Sequence, residues 1–236
     1  MKIAIKYLLR LLFIPLELFV YFLFAVLTFV MFKSTVNAPE VPSITIGKRE
    51  KIAEDFYVLG NNYLKKNEFG IWEMYIEGAP YERGLIYGEL AKELNHYQEV
   101  VFVDQIKQFI PSETFQNFLK IMMGFFTNEI PKYIPLENQQ EIYGISQTFS
   151  DEFDFIGPKY TRILGYHAAH DMGHALNDYS VVGCTSFALK GDRTATSNLL
   201  IGRNFDFYVG DEFAENKILL MIKPTKGHAF VSYSWA

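Results

Sequence analysis

The hydrophobic and polar positions divide the chain into three regions, of which the first is the most apolar. Residues 11–32 read LLFIPLELFVYFLFAVLTFVMF, with Glu17 as the single charged side chain. A bilayer core of roughly 30 Å is spanned by about 20 apolar residues in a helix, so this run predicts a transmembrane helix. Lys2, Lys6 and Arg10 precede it, and cationic flanks stay in the cytoplasm. We therefore expect a single-pass membrane protein whose remaining chain is extracytoplasmic, in the periplasm or the extracellular space.

A cleaved signal peptide is the alternative explanation of the same apolar run. Signal peptides have a shorter apolar region that ends in a small-residue cleavage site. Here the run ends in VMFKSTVNAPE, which has no A-x-A pattern. We favour an uncleaved membrane anchor at 1–33, followed by a tether at 34–49 that contains two prolines and no helical period.

The second region, residues 50–183, has mostly helical patterning. The segment 71–78, IWEMYIEG, is strand-like and ends at a glycine. Pro80 suits the first turn of a helix, and Ser112 is a suitable N-cap for a later one. A last helical segment is predicted from about 160 to 176.

The third region, residues 184–236, changes to short apolar runs separated by turn sequences. The runs are CTSFALKG, NLLIGRNFDF, KILLMIKP and HAFVSYSWA. This pattern predicts an antiparallel meander of strands and gives the chain an α+β fold class. Because the last run would leave an open sheet edge, we expect the natural protein to continue beyond residue 236.

Composition and charge exclude several classes of protein. Half of the residues are hydrophobic, which excludes a disordered chain. Without residues 1–33 the remaining 203 residues carry 18 basic and 26 acidic side chains, so the net charge changes from -5 to -8. An acidic chain is a poor candidate for a nucleic-acid binder. The single cysteine, Cys184, excludes an intrachain disulfide and a Cys-rich zinc site, so it would matter as a thiol.

Cys184 opens the first predicted strand of the meander, and Arg203 and Asp206 end the second. If the two strands form a hairpin, both charged residues lie near Cys184. Arg203 and Asp206 are three positions apart, so on a regular strand they face opposite sides, and both reach Cys184 only at a bend or bulge. The alternative is a buried structural cysteine beside a surface ion pair.

Two segments resemble a known family. GCTSF, followed about nineteen residues later by GRNFDF, resembles the N-terminal-nucleophile hydrolases. The closest branch is the acyl-CoA:6-aminopenicillanic acid acyltransferase family of self-cleaving cysteine enzymes; bile-salt hydrolases and penicillin V acylases are more distant. The segment YIEGAPYERGLIYGELAKEL is similar to the acyltransferase G-x-P-x-x-R-G-x-x-x-G segment, through Gly78, Pro80, Arg83, Gly84 and Gly88. The resemblance covers most of residues 60–236.

The resemblance implies a fold and a chemistry. The fold is an αββα sandwich, of which 184–236 supply the first strands and 50–183 form a pro-region that stays associated after cleavage. The chain cleaves its own Gly183–Cys184 bond, and the freed α-amine of Cys184, with a pKa of about 7.7 to 8.0, serves as the base for its thiol. Arg203 stabilises negative charge near the thiol, and Asp206 holds the α-amine.

The family's chemistry needs no cofactor and acts on a small-molecule amide or thioester through an acyl-enzyme. The family also supplies an oxyanion-hole asparagine from well downstream of the nucleophile. Only 52 residues follow Cys184, so we expect that residue beyond this chain. The leading hypothesis is a membrane-anchored, extracytoplasmic cysteine amidohydrolase or acyltransferase, and one alternative is a non-catalytic tethered domain.

A histidine cluster precedes the junction and gives a second alternative. His167, His170 and His174 fall on one face of a helix, with Asp171 beside them. Three imidazoles could bind zinc in a metal-dependent hydrolase or a metal-binding protein, but this spacing is not a specific zinc motif. We favour a packed polar helix face and assign no metal. A further hypothesis is that this helix lines the substrate pocket or assists the cleavage.

Overall fold

The computed structural model describes residues 2–33, 36–175, 182–207 and 210–235. The fold class is α+β. The helices are α1 (Lys2–Lys33), α2 (Pro80–Leu90), α3 (Lys92–Phe109), α4 (Glu113–Glu129), α5 (Leu136–Ser146) and α6 (Lys159–Ala175). The strands are β1 (Glu50–Ala53), β2 (Phe56–Leu59), β3 (Asn62–Lys66), β4 (Trp72–Gly78), β5 (Val182–Gly191), β6 (Ser197–Phe207), β7 (Lys217–Pro224) and β8 (Phe230–Trp235).

Six strands form one mixed sheet, in the order β1-β2-β3-β4-β7-β8. Strands β1 to β4 are an antiparallel meander, β7 pairs with β8 antiparallel, and β4 and β7 are parallel from Trp72 opposite Ile218 to Gly78 opposite Pro224. Strand β4 alternates buried and half-buried side chains along its length. This alternation directs one face of the sheet toward helix α2, where the main core forms.

The main core lies between the sheet and helix α2. It is built from apolar side chains of β3, β4, β7 and α2, among them Leu64, Met74, Ile76, Leu90 and Ile218. A second cluster joins helices α5 and α6 through Ile142, Tyr160, Ile163 and Leu164, with Val36 packed on it. Helix α2 carries part of the first cluster and α5 part of the second, and these two helices are in contact.

Helices α2 and α5 approach each other at glycines. A Cβ atom built on Gly84 would lie well under 3.0 Å from the carbonyl oxygen of Glu141, and one on Gly144 would lie 2.6 Å from the carbonyl oxygen of Tyr81. No side chain fits between backbones at these distances. The glycines therefore set how closely the two helices pack.

The predicted membrane anchor is contradicted. Within the part of the chain that the structure describes, no helix is long and apolar enough to cross a membrane. Helix α1 contains Pro15 and the charged Glu17, and a charged side chain is costly inside a bilayer. The single-pass membrane location, with an anchor at 11–32 and an extracytoplasmic catalytic domain, was therefore wrong.

The predicted meander of residues 184–236 was also wrong. Strands β5 and β6 form a separate two-stranded sheet, whereas β7 and β8 extend the sheet of β1 to β4. The parallel pairing of β7 with β4 fits its sequence KILLMIKP, because strands inside a parallel pair have continuous rather than alternating apolar runs. The meander β1 to β3 was missed, although Gly60, with a positive φ of 59°, lies in the turn between β2 and β3.

Candidate nucleophile site on the β5–β6 hairpin

The register of the β5–β6 hairpin decides which candidate residues share a face. Cys184 lies opposite Phe205, and Ser186 lies opposite Arg203. Opposite residues in an antiparallel pair project to the same side, and the side alternates along each strand. Cys184, Ser186, Arg203 and Phe205 therefore share one face, which we call the thiol face.

Asp206 lies on the other face, directly opposite Gly183. We call this side the carboxylate face. The ladder is regular from Val182 opposite Phe207 to Leu189 opposite Leu200, and its register shift lies at the turn end, between Leu189 and Gly191. The bend or bulge that would bring both charged residues to the thiol is therefore not present at Cys184.

The hairpin thus brings Arg203, and not Asp206, to the side of the thiol. An α-amine, however, is a main-chain nitrogen and lies in the plane of the ladder rather than on one face. If the Gly183–Cys184 bond is cleaved, a carboxylate opposite Gly183 lies next to the new amine from the other side. The register is compatible with Arg203 acting on the thiol and Asp206 acting on the amine.

The thiol of Cys184 is free and exposed. This differs from the alternative of a buried structural cysteine. The Arg203 guanidinium carbon lies 4.0 Å from the centroid of the Phe205 ring, a distance at which cation and ring attract. Because Arg203 and Asp206 project from opposite faces, the ladder does not favour the alternative of an ion pair between them.

On the carboxylate face, the Asn204 side chain donates a hydrogen bond from Nδ2 to Oδ2 of Asp206 at 3.1 Å. Farther along this face the Phe187 ring lies over Gly202, its cross-strand partner. A Cβ atom at Gly202 would collide with that ring. The glycine of GRNFDF therefore has a packing role, whereas its asparagine contacts the candidate carboxylate.

The second motif lies at the junction of β4, α2 and α5, and its residues have packing roles. Gly78 ends β4 with a φ of 127°, a conformation that L side chains rarely adopt, and Pro80 is the first residue of α2. Arg83 donates from Nη1 to the Gly78 carbonyl at 2.9 Å and from Nη2 to Oε2 of Glu141 at 2.6 Å. It therefore ties the strand end to both helices.

Two further glycines of this motif contact α5. Gly84 faces the backbone at Glu141 and Gly144, and a Cβ atom at Gly88 would lie 3.0 Å from the Ile145 carbonyl oxygen and would collide with the Thr148 hydroxyl just after the helix. The residues of this second motif hold the two helices close together, and none of the contacts described for them presents an exposed nucleophile.

A buried ion pair between α3 and α6 was missed by the sequence reasoning. Arg162 is 1% exposed and Glu99 3% exposed, and Nε of Arg162 donates to Oε1 of Glu99 at 2.6 Å. Burial raises the pKa of Glu99, and the adjacent Arg162 charge opposes this effect. The remaining donors of Arg162 reach Asp154 and the carbonyls of Ser150 and Gly157. The one sequence feature that could have indicated this ion pair is Arg162 itself, which stands among apolar residues in the segment YTRIL of α6.

The histidine cluster lies on α6, which contacts β5. Nδ1 of His167 lies 2.9 Å from the Ile163 carbonyl oxygen, one helical turn earlier. The side chains of His170, Asp171 and His174 lie outside the described residues. Among the side chains that are described, no group of three or more His, Cys, Asp or Glu residues could hold a metal ion. The zinc alternative therefore stays a prediction.

Comparison with known proteins finds a distant relative. No protein-family profile matches the chain, and no solved structure matches it. An uncharacterized protein of Archaeoglobus fulgidus is 29% identical over 177 residues, which cover 70% of this chain and 29% of that protein. The chain therefore spans less than a third of the length of this relative, to which no activity is attached.

Proposed function

We propose that the β5–β6 hairpin carries the nucleophile of a cysteine amidohydrolase or acyltransferase, and that the protein frees this nucleophile by cleaving its own Gly183–Cys184 bond. The observation that supports the proposal most directly is the exposed thiol of Cys184, which shares a face with Arg203 while Asp206 lies opposite Gly183. The resemblance of GCTSF and GRNFDF to the self-cleaving cysteine family gives these positions their roles.

Self-cleavage would start at the thiol. Sγ of Cys184 attacks the carbonyl carbon of Gly183, and the C–N bond breaks as its nitrogen takes up a proton. The products are a thioester at Sγ and a free α-amine on the same residue. Water then hydrolyses the thioester, which leaves a carboxylate on Gly183 and restores the thiol.

Turnover would use the same two groups on Cys184. The α-amine takes the thiol proton, and the thiolate attacks an amide or thioester carbonyl. The leaving amine or thiol departs with a proton, and an acyl-enzyme remains on Sγ. Water or a second amine then accepts the acyl group. Arg203, on the thiol face, would stabilise the negative charge that develops there, and Asp206 would accept a hydrogen bond from the amine.

Intact-mass measurement of the full-length gene product tests the proposal. We expect two fragments that separate before Cys184, and a single uncleaved chain for Cys184→Ala. Ser186→Ala is the matched control, because Ser186 is exposed on the same face of the same strand. We expect this variant to cleave like the unchanged protein.

Two results would overturn the proposal. One is an unchanged protein that stays intact after purification and prolonged incubation, and the other is a Cys184→Ala variant that cleaves at the same bond. An intact chain that carries stoichiometric zinc would instead favour the alternative that uses His167, His170 and His174.

A further inference from the structure

The carboxylate face of the hairpin contains one side chain whose hydrogen bond leads directly to the proposed machinery. Asn204 lies two residues before Asp206 on β6, opposite Thr185. Its Nδ2 donates to Oδ2 of Asp206 at 3.1 Å, and both side chains are exposed. Because both side chains are exposed, this contact orders the carboxylate rather than packing the interior.

We propose that Asn204 is a positioning residue that fixes the Asp206 carboxylate for the α-amine of Cys184. This inference rests on the proposed function. It adds a residue to which the resemblance gave no role.

The physical argument concerns the freedom of an exposed carboxylate. An aspartate on a strand surface rotates about two side-chain bonds and loses that freedom when it must meet one partner. A hydrogen bond from Asn204 to Oδ2 restricts both rotations before the amine exists. It leaves Oδ1 available to accept a hydrogen bond from the α-amine of Cys184. This amine lies close by, because Asp206 is opposite Gly183, the residue before Cys184. The restriction is therefore present in the uncleaved chain.

The charges around this contact are few. The other residues of the carboxylate face in the regular ladder are uncharged: Gly183, Thr185, Phe187, Leu189, Leu200, Gly202 and Asn204. Arg203 lies on the thiol face. Helix α6 packs against β5, and its side chains after residue 168 lie outside the described part of the chain. Among the ladder residues, Asp206 is therefore the acidic group nearest to the new amine.

The test compares Asn204→Ala and Asn204→Leu with Asn198→Ala. Leucine keeps the branched shape of asparagine without the donor. Asn198 is an exposed asparagine on the same strand, six residues from Asn204. The first measurement is kcat and KM of the self-cleaved protein with p-nitrophenyl acetate as acyl donor. The second is the pH titration of the Cys184 α-amine, followed by its ¹⁵N chemical shift after labelling with ¹⁵N-cysteine.

We expect both Asn204 variants to cleave and to lose about fivefold to tenfold in kcat with little change in KM, the size of one hydrogen bond. The titration midpoint of the amine should fall, as we also expect for Asp206→Asn as a reference variant, because a carboxylate that is no longer held stabilises the protonated amine less. Asn198→Ala should match the unchanged protein in both measurements. Thermal melting of all variants confirms that the fold is intact.

Two outcomes overturn this inference while leaving the proposed function in place. In the first, Asp206→Asn moves the amine titration and the Asn204 variants do not. In the second, folded Asn204 variants fail to self-cleave. Asn204 would then act in the cleavage step itself and not in holding Asp206 for the α-amine that cleavage produces. An unchanged protein that does not cleave at all would overturn the proposed function, and this inference with it.

Discussion

The junction of β4, α2 and α5 and the β5–β6 hairpin both carry a glycine–arginine motif, yet the two regions use these residues differently. At the junction, Arg83 is 6% exposed and donates to a strand carbonyl and a carboxylate, while Gly84 lies against a neighbouring backbone. On the hairpin, Cys184 and Arg203 are exposed, and the described hydrogen bond of Asp206 comes from an exposed side chain.

This difference separates residues that the fold requires from residues that it does not. Substitution at the junction must disturb buried groups, because the contacts there are between backbones or within a shielded ion pair. Substitution on the hairpin disturbs little packing. The exposed side chains of Cys184, Arg203 and Asp206 therefore contribute little to packing, and substitutions in the two regions should differ in their effect on stability.

Gly84→Ala should give the largest loss of stability. The added methyl group meets the Glu141 backbone, which cannot rotate away, so α2 and α5 must separate. We expect a loss of about 3 kcal/mol in the free energy of unfolding, measured by urea denaturation. Gly157→Ala is the control, since a Cβ atom there meets nothing within 4 Å. A loss at Gly84 below about 1 kcal/mol would show that the helices are not held at backbone contact.

The same substitution at two arginines compares the regions directly. Arg83→Met should cost about 2 to 3 kcal/mol, because it removes two hydrogen bonds and leaves the Glu141 carboxylate without its partner in a shielded position. Arg203→Met should change stability by no more than about 0.5 kcal/mol, as is usual for exposed positions. Equal losses in the free energy of unfolding at Arg83 and Arg203 would contradict the proposed difference between the two regions.

The acid response of the junction gives a smaller effect. Hydrogen bonds from Asn61, Tyr75 and Lys223 lower the pKa of Glu77, at the end of β4, to about 2. Because the folded pKa lies below the ordinary value of 4.5, the unfolded chain takes up the proton first as the pH falls. The contribution of Glu77 is therefore complete above pH 4.5 and is lost as the pH falls through about 2.

Glu77→Gln should make the free energy of unfolding less dependent on pH between 5 and 2.5. The measurement is urea denaturation at several pH values in this range, with Glu68→Gln as a control in the exposed turn between β3 and β4. If Glu77→Gln leaves the pH dependence unchanged, the hydrogen bonds to Glu77 do not stabilise its charged form.

Local sequence signals predicted part of this structure, and the physical reasons are specific. The strand at 71–78 and the helix that opens at Pro80 were expected, and the structure has β4 at Trp72–Gly78 and α2 from Pro80. The two-residue period of a strand alone predicted that Arg203 and Asp206 project from opposite faces, and the regular ladder confirms this. These features depend on residues a few positions apart.

Other features depend on partners that are distant in sequence. The parallel pairing of β4 with β7 and the buried contact of Glu99 with Arg162, 63 residues apart, have no local pattern that specifies them. The anchor at 11–32 was expected from hydropathy over a window, but no helix within the described residues is long and apolar enough to cross a membrane. Local periodicity predicts an element, and it does not choose the partner of that element.

The most direct test of the central claim is to ask whether Cys184 becomes a chain terminus. An N-terminal cysteine carries a thiol and an amine on adjacent carbons and condenses with a cyanobenzothiazole to a stable ring, which an internal cysteine cannot form. We predict one such label per molecule of the full-length protein, on the fragment that begins at Cys184, and none in Cys184→Ala. A thiol that reacts with iodoacetamide but takes up no cyanobenzothiazole label would contradict the claim.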